Sequence, residues 1–316
     1  MSDTSLSELL LIEIGGTHCR CATASGERGP ESVTVFKNTR YPGLESIVTD
    51  YLDQLGATAP DRAAIAVAGP VDTQPVHLTN LGWTLDTEAL KKRFGWSQAV
   101  LVNDFEALAC AAPLLSDDEL LTIRSGKPAP GAAIAVLGPG TGMGVSGLVP
   151  CGKQWYPVRG EGGHVTLPAA DEREAEILGI LRREHGHVSA ERVLSGPGLL
   201  TLYQTLAPSS RACSPEAVTS LAENGDTHAL EALELFFCFL GTFCGDVALT
   251  LGARGGVYLG GGILPALRNR LLASRFATRF ADKGRFSAYL EPIPVRLIIA
   301  DTPALRGLVR HPLVAA

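Results

Sequence analysis

The sequence predicts an α/β protein of two lobes, each built on its own mixed sheet, with a cleft between them. Two apolar strands, Leu9–Ile14 and Ile134–Leu137, each run into a glycine-threonine turn: Gly15-Gly16-Thr17 and Gly138-Pro139-Gly140-Thr141-Gly142. After each turn come further extended segments and then helices, as in a sheet with helices packed on it. At 316 residues, the chain is long enough for two separate cores. The repeated strand and turn suggest one structural unit used twice.

In the first lobe, alternation and apolar runs give strands at 8–14, 19–24, 32–37, 62–68 and 99–102, with a short strand near 75–78. Helices are expected at 43–55, at 86–94 and from Asp104. The segment Leu114–Pro130, polar and then rich in proline and glycine, is expected to be surface structure between the lobes. The second lobe opens as the first does, with strands near 132–137, 143–149 and 153–158. Helices follow at 171–184, 196–206, 214–223 and about 227–251. The last of these carries Leu233, Phe236 and Leu240 beside the small Gly241, Gly245 and Ala248, a pattern suited to close packing. Strand 256–259 ends in Gly260-Gly261-Gly262 with a helix after it, and strand 294–299 leads to a short terminal helix. The domains are therefore drawn as a small lobe, 1–113, completed by a C-terminal helix at 302–316, and a large lobe, 114–301.

Composition narrows the function. The chain is 46% hydrophobic and 19% charged, as compact proteins are, and its net charge of −6 argues against nucleic acid or an anionic membrane as partner. The seven cysteines include no C-x-x-C pair, so reduced thiols are expected, with Cys19 and Cys21 on one face of a strand. The opening Met-Ser-Asp-Thr-Ser lacks the basic region of a signal peptide, and no uninterrupted apolar run spans a bilayer; a cytoplasmic location is expected.

Glycines after a strand expose consecutive N–H groups that cradle phosphate oxygens, so the two turns point to a nucleotide triphosphate. A P-loop is excluded, because Gly126-Lys127 is followed by Pro128. Asn103-Asp104 follows an apolar strand and opens a helix, at the strand end where open α/β sheets place ligand groups. The local reading leaves Asp104 two roles: a general base toward a hydroxyl, or a helix N-cap. Gly160-Glu161-Gly162-Gly163-His164 offers two side chains suited to sugar hydroxyls on a backbone that permits close approach. Glu191 is either a second such acid or a carboxylate favoured near a helix N-terminus. Asn80, in the turn Thr79–Trp83, either reads hydroxyls or marks a simple hairpin. His185 and His187 fit surface histidines better than a metal site. Gly260-Gly261-Gly262 suits a flat adenine or ribose against bare backbone, although loop geometry alone also explains it.

Taken together, these segments resemble the bacterial glucokinase family of the hexokinase–actin–Hsp70 superfamily. The most specific stretches are Leu101–Ala107, Gly138–Gly142, Gly160–Val165 and Gly186–Gly198, with Phe280–Phe286 also matching. The resemblance covers nearly the whole chain. It implies a two-lobed actin/hexokinase-like (ribonuclease H-like) fold and ATP-dependent phosphorylation of glucose at its 6-hydroxyl. It makes Asp104 the catalytic base and gives the sugar to Asn80, Asn103, Glu161, His164 and Glu191. The nucleotide falls to Glu13, Gly15, Gly16, Thr17, Gly138, Gly140, Thr141, Gly142, Gly260, Gly261 and Gly262. It further implies Mg2+ with the ATP and a homodimer. The residues after His164, Val-Thr-Leu-Pro-Ala-Ala-Asp, lack the cysteine-rich zinc motif of the related repressor/sugar-kinase group, so no structural zinc is expected.

Two departures bear on activity. The family's first loop reads Asp-x-Gly-Gly-Thr-Asn, whereas this chain has Glu13-Ile14-Gly15-Gly16-Thr17-His18. Glutamate extends the carboxylate by about one C–C bond, ~1.5 Å. Helix 304–310, Ala-Leu-Arg-Gly-Leu-Val-Arg, is also less rich in glycine and alanine than its counterparts. Glu13 and His18 motivate one alternative to glucokinase activity, a sugar-binding sensor with weak or lost kinase activity; a kinase for another hexose is a further alternative.

Overall fold

The structure is a computed structural model that describes residues 9–26, 29–56, 60–210 and 212–315. The N-terminal segment 1–8, read above for a signal peptide, lies outside the described residues, as does the last residue of the expected helix 302–316. In chain order the strands are β1 (Leu9–Ile14), β2 (His18–Ala24), β3 (Glu31–Lys37), β4 (Arg62–Val67), β5 (Val76–Leu78), β6 (Trp83–Leu85) and β7 (Gln98–Asn103). They continue with β8 (Leu120–Arg124), β9 (Ile134–Pro139), β10 (Met143–Cys151), β11 (Gln154–Pro157), β12 (Val257–Leu259) and β13 (Val295–Ile298). The chain divides into two units: residues up to 115 with 151–159 and 300–316, and residues 116–150 with 160–299.

The first unit holds helices α1 (Leu44–Leu55), α2 (Thr87–Phe94) and α3 (Asp104–Ala111) around a sheet of order β3-β2-β1-β4-β7. β1 lies at its centre, antiparallel to β2 and parallel to β4, which explains its nearly unbroken apolar run. Successive side chains alternate between two cores. Leu10, Ile12 and Ile14 pack with Cys19, Cys21 and Tyr51 on one face, while Leu9 and Leu11 pack with Ala107 and Leu305 on the other. Cys19 and Cys21 therefore share a face, as their spacing predicts. β5 and β6 form a separate hairpin whose turn uses Gly82 at φ +67°.

The second unit holds α4 (Glu172–His185), α5 (Ala190–Val193), α6 (Gly196–Leu206), α7 (Pro215–Glu223) and α8 (Thr227–Leu251), then α9 (Arg268–Ala273), α10 (Phe276–Ala281) and α11 (Ser287–Leu290). Its sheet runs β10-β9-β12-β13-β8. β8 corrects the reading of 114–130 as surface structure: Leu120–Arg124 pairs antiparallel with β13 along the sheet edge. After β12, the chain makes turns from Gly260 to Leu267 before α9 begins, so the expected helix starts later than the glycines suggest.

α8 is long and apolar enough to cross a membrane, but 78% of its apolar window is buried inside the protein, where it forms the core of this unit. The small residues on it have the expected use. A Cβ at Gly241 or Gly245 would overlap the carbonyl of Phe276 or Phe280, so glycine lets α10 lie directly on α8. Beside them, the buried Glu174 pairs with Arg279, whose Nε donates to Thr242 Oγ1 at 3.3 Å. Burial raises the Glu174 carboxyl above the usual carboxylate range, against backbone N–H donation from Ala170 and the opposing pull of Arg279.

The chain ends with α12 (Pro303–Arg310) and α13 (Pro312–Ala315), both in the first unit. α12 packs on α3 at Gly307, where a Cβ would overlap the Ala107 carbonyl. The glycine in the divergent helix 304–310 is thus set by helix contact.

Candidate active site

The candidate residues form one group in each unit. In the first unit, β1 delivers the chain into the turn Gly15–Thr17 and β2 returns it. Gly15 N donates to His18 O at 2.9 Å, closing the turn. Glu13, on the face of β1 that meets α3, lies 3.6 Å from Arg20 Nη1, but its buried Oε2 has no hydrogen-bond partner. Burial raises the Glu13 carboxyl above the usual carboxylate range, and the Arg20 charge works against that rise.

At the end of β7, the two open roles of Asn103 and Asp104 separate. Asn103 is the N-cap of α3: its Oδ1 accepts from Phe105 N at 2.8 Å and Glu106 N at 3.3 Å. Its Nδ2 donates to Gly69 O at 3.2 Å, which leaves one amide hydrogen for a ligand. Asp104 is the first helical residue, half-buried, with Oδ1 accepting from Phe105 N at 3.0 Å. The capping explanation therefore attaches to Asn103, and the carboxylate of Asp104 stands at the carboxyl end of a strand. Asn80 is exposed in the β5–β6 turn, where Leu81 N and Gly82 N both donate to Leu78 O.

Within the first turn of α3, Glu106 is 3% exposed and receives Arg159 Nε at 3.1 Å, with His311 Nε2 at 3.3 Å from the same oxygen. Leu313 N donates to His311 Nδ1, so the imidazole carries its proton on Nε2 and donates it to Glu106. This node joins α3, the residue before Gly160 and the C-terminal segment. Nothing in the sequence pattern marked it, because its members lie far apart in the chain.

In the second unit, three predicted segments meet. Glu191, near the start of α5, accepts from Met143 N at 2.9 Å, and a Cβ at Gly142 would overlap its carboxylate. Gly163 sits against the Met143 carbonyl with no room for a side chain. Gly196 N donates to Gly140 O at 2.9 Å, and Gly140 N to Gly142 O at 2.7 Å. The turn Gly140–Gly142, the segment Gly160–His164 and Glu191 are thereby held together, with Thr141, Glu161 and His164 exposed.

Gly138 and Gly260–Gly262 have a further explanation. Gly260 N donates to Leu137 O at 2.9 Å, and side chains at Gly138 and Gly261 would overlap the carbonyls of Gly260 and Pro139. Backbone crosses backbone there, whereas Gly262 faces open space. His187 Nε2 lies 3.0 Å from Thr166 Oγ1. Among the described residues, no group of three or more His, Cys, Asp or Glu could hold a metal ion.

A family model described as Glucokinase matches residues 10–312. The chain belongs to the glucokinase family. It is 44% identical to a glucokinase of Chromobacterium violaceum over 96% of this chain and 88% of that one. It is also 44% identical to a glucokinase of Nitrobacter hamburgensis, over 98% of each chain. The crystal structure of a glucokinase from an Antarctic psychrotroph is similar at 36% identity, with a TM-score of 0.86 over 97% of this chain and 98% of that one. The two mixed sheets described above are the glucokinase fold.

Proposed function

We propose that Asp104 is the base in the ATP-dependent phosphorylation of glucose, the activity of the glucokinase family. The observation that carries this reading is the division of labour at β7–α3: Asn103 supplies the cap, so Asp104 is not needed for it. Asp104 places a carboxylate at the carboxyl end of β7, where open α/β sheets present groups to a ligand. As the glucose 6-hydroxyl oxygen attacks the γ-phosphorus, its proton passes to Asp104 and the bond to the ADP oxygen breaks. Catalysis of this kind works mainly through positioning and electrostatics.

Glu161, His164 and Glu191, with Asn80 and Asn103, are proposed to hold the sugar hydroxyls. Gly15–Thr17 and Gly138–Gly142 are proposed to receive phosphates, and Gly260–Gly262 the adenosine. The exposure of Gly16, Thr17 and Thr141, each in a turn that follows a strand, supports the phosphate assignment. Magnesium fits the first unit: Glu13 Oε2 is a buried oxygen with no hydrogen-bond partner, a donor suited to a hard cation or its bound water. A bound Mg2+ would neutralise charge on the phosphates of ATP.

The lobe division, with 302–316 completing the small lobe, is supported by the packing of α12 on α3. A cytoplasmic homodimer remains the family's implication; size-exclusion chromatography with light scattering tests the oligomer.

Asp104→Asn tests the central assignment. Turnover should fall by ~10²–10⁴ with glucose affinity retained. An unchanged rate would remove Asp104 from the chemistry.

A further inference from the structure

We propose that Asn38 is a positioning residue that shapes the Gly15–Thr17 turn for the nucleotide phosphates. This inference rests on the reading of that turn as a phosphate loop. Asn38 follows β3 directly and opens a short helical turn, 38–40. Its Nδ2 donates to Gly15 O at 2.8 Å, and its backbone N–H donates to Thr17 O at 3.0 Å. One residue thus draws in the carbonyls at both ends of the three-residue turn.

The consequence is electrostatic. A carbonyl oxygen facing a phosphate repels it, whereas an N–H attracts it. With the Gly15 and Thr17 carbonyls turned to Asn38 and Gly15 N bonded to His18 O, the turn's remaining N–H groups are those of Gly16 and Thr17. Both residues are exposed, and neither N–H donates a backbone hydrogen bond among the described residues. Capturing the carbonyls leaves a face that presents donors.

Asn38 is an unfavourable choice on stability grounds. It is 2% exposed, and its Oδ1 is buried with no partner. Burying an unpaired acceptor opposes folding, a cost that an apolar side chain of similar size would avoid. What the amide supplies in return is the bond to Gly15 O.

The test is steady-state kinetics and thermal shift on Asn38→Ala and Asn38→Ser. The KM for ATP should rise by ~10-fold or more, as for misplaced binding groups. The KM for glucose should stay within about twofold, and glucose should still raise Tm as in the parent. An unchanged KM for ATP, or a fall in Tm with no split between the two KM values, would overturn the proposal. Gly16→Val tests the loop reading itself. If it raises the KM for ATP and the Asn38 variants do not, only the Asn38 proposal fails; if none of them does, the loop reading fails with it. Should the Asn38 variants not fold, hydrogen exchange on the parent protein decides. A non-hydrolysable ATP analogue should protect the Gly16 and Thr17 amides, and absence of protection would overturn the proposal.

Discussion

Glu191 Oε2 accepts a hydrogen bond from the Met143 backbone N–H at 2.9 Å, so a proposed sugar ligand also fixes the exit of the Gly138–Gly142 turn. The two tasks should separate by substitution. Glu191→Gln keeps an oxygen for Met143 N and should raise the KM for glucose alone. Glu191→Ala leaves that N–H without its acceptor, at ~1–3 kcal/mol, and should raise the KM for glucose and for ATP together. Identical kinetics for the two variants would argue against a shared role.

The crossing of β9 with the segment after β12 predicts unequal tolerance among glycines. Gly138→Ala meets the Gly260 carbonyl and should cost ~1–3 kcal/mol, seen as a lower Tm and a lower urea midpoint. Gly262→Ala meets open space and should stay within about 0.5 kcal/mol of the parent. Equal losses would mean that the crossing does not require glycine.

Glu106 is the hub of a buried polar node, so its loss should weigh more than that of either partner. Removing one member of a buried pair costs ~3–5 kcal/mol. Arg159 is half exposed and can regain water, so the lower end is expected for Glu106→Ala in urea unfolding, with Arg159→Met costing less. A Glu106→Ala protein as stable as the parent would show that the node carries no energy.

The raised Glu13 carboxyl sets a pH dependence. In the folded state it holds its proton to higher pH than in the unfolded chain, so its unfavourable contribution begins as pH rises through the ordinary carboxylate range. That contribution is complete above the folded value. The stability of Glu13→Gln relative to the parent should therefore increase from about pH 4 to pH 7. The lost attraction to Arg20 offsets part of this gain. Urea unfolding of both proteins at the two pH values measures it, and a margin that is flat or shrinks toward pH 7 would contradict the burial of Glu13.

Much of this architecture was legible because its signals are periodic or punctuated. β1 and the helix at 227–251 are long apolar patterns, and Asn103-Asp104 stands at a strand–helix boundary. β8 was missed because Leu120–Arg124 is a five-residue edge strand set between an acidic cluster and a proline-rich stretch. Asn38 and the Glu106–Arg159–His311 node were missed for another reason: their partners are distant in sequence, and a lone Asn or Glu carries no pattern. Glycines were seen, but their uses were not separable. Gly138 and Gly261 serve backbone crossing, Gly307 serves helix packing, and only geometry distinguishes these from ligand-facing turns.

Glucose-dependent release of ADP from Mg·ATP by the purified chain, measured in a coupled assay beside mannose, fructose and glucosamine, tests the central claim most directly. Saturable turnover with the highest kcat/KM for glucose is the predicted result. Glucose binding detected by calorimetry with no ADP release would contradict it and identify a sugar-binding protein that has lost phosphoryl transfer.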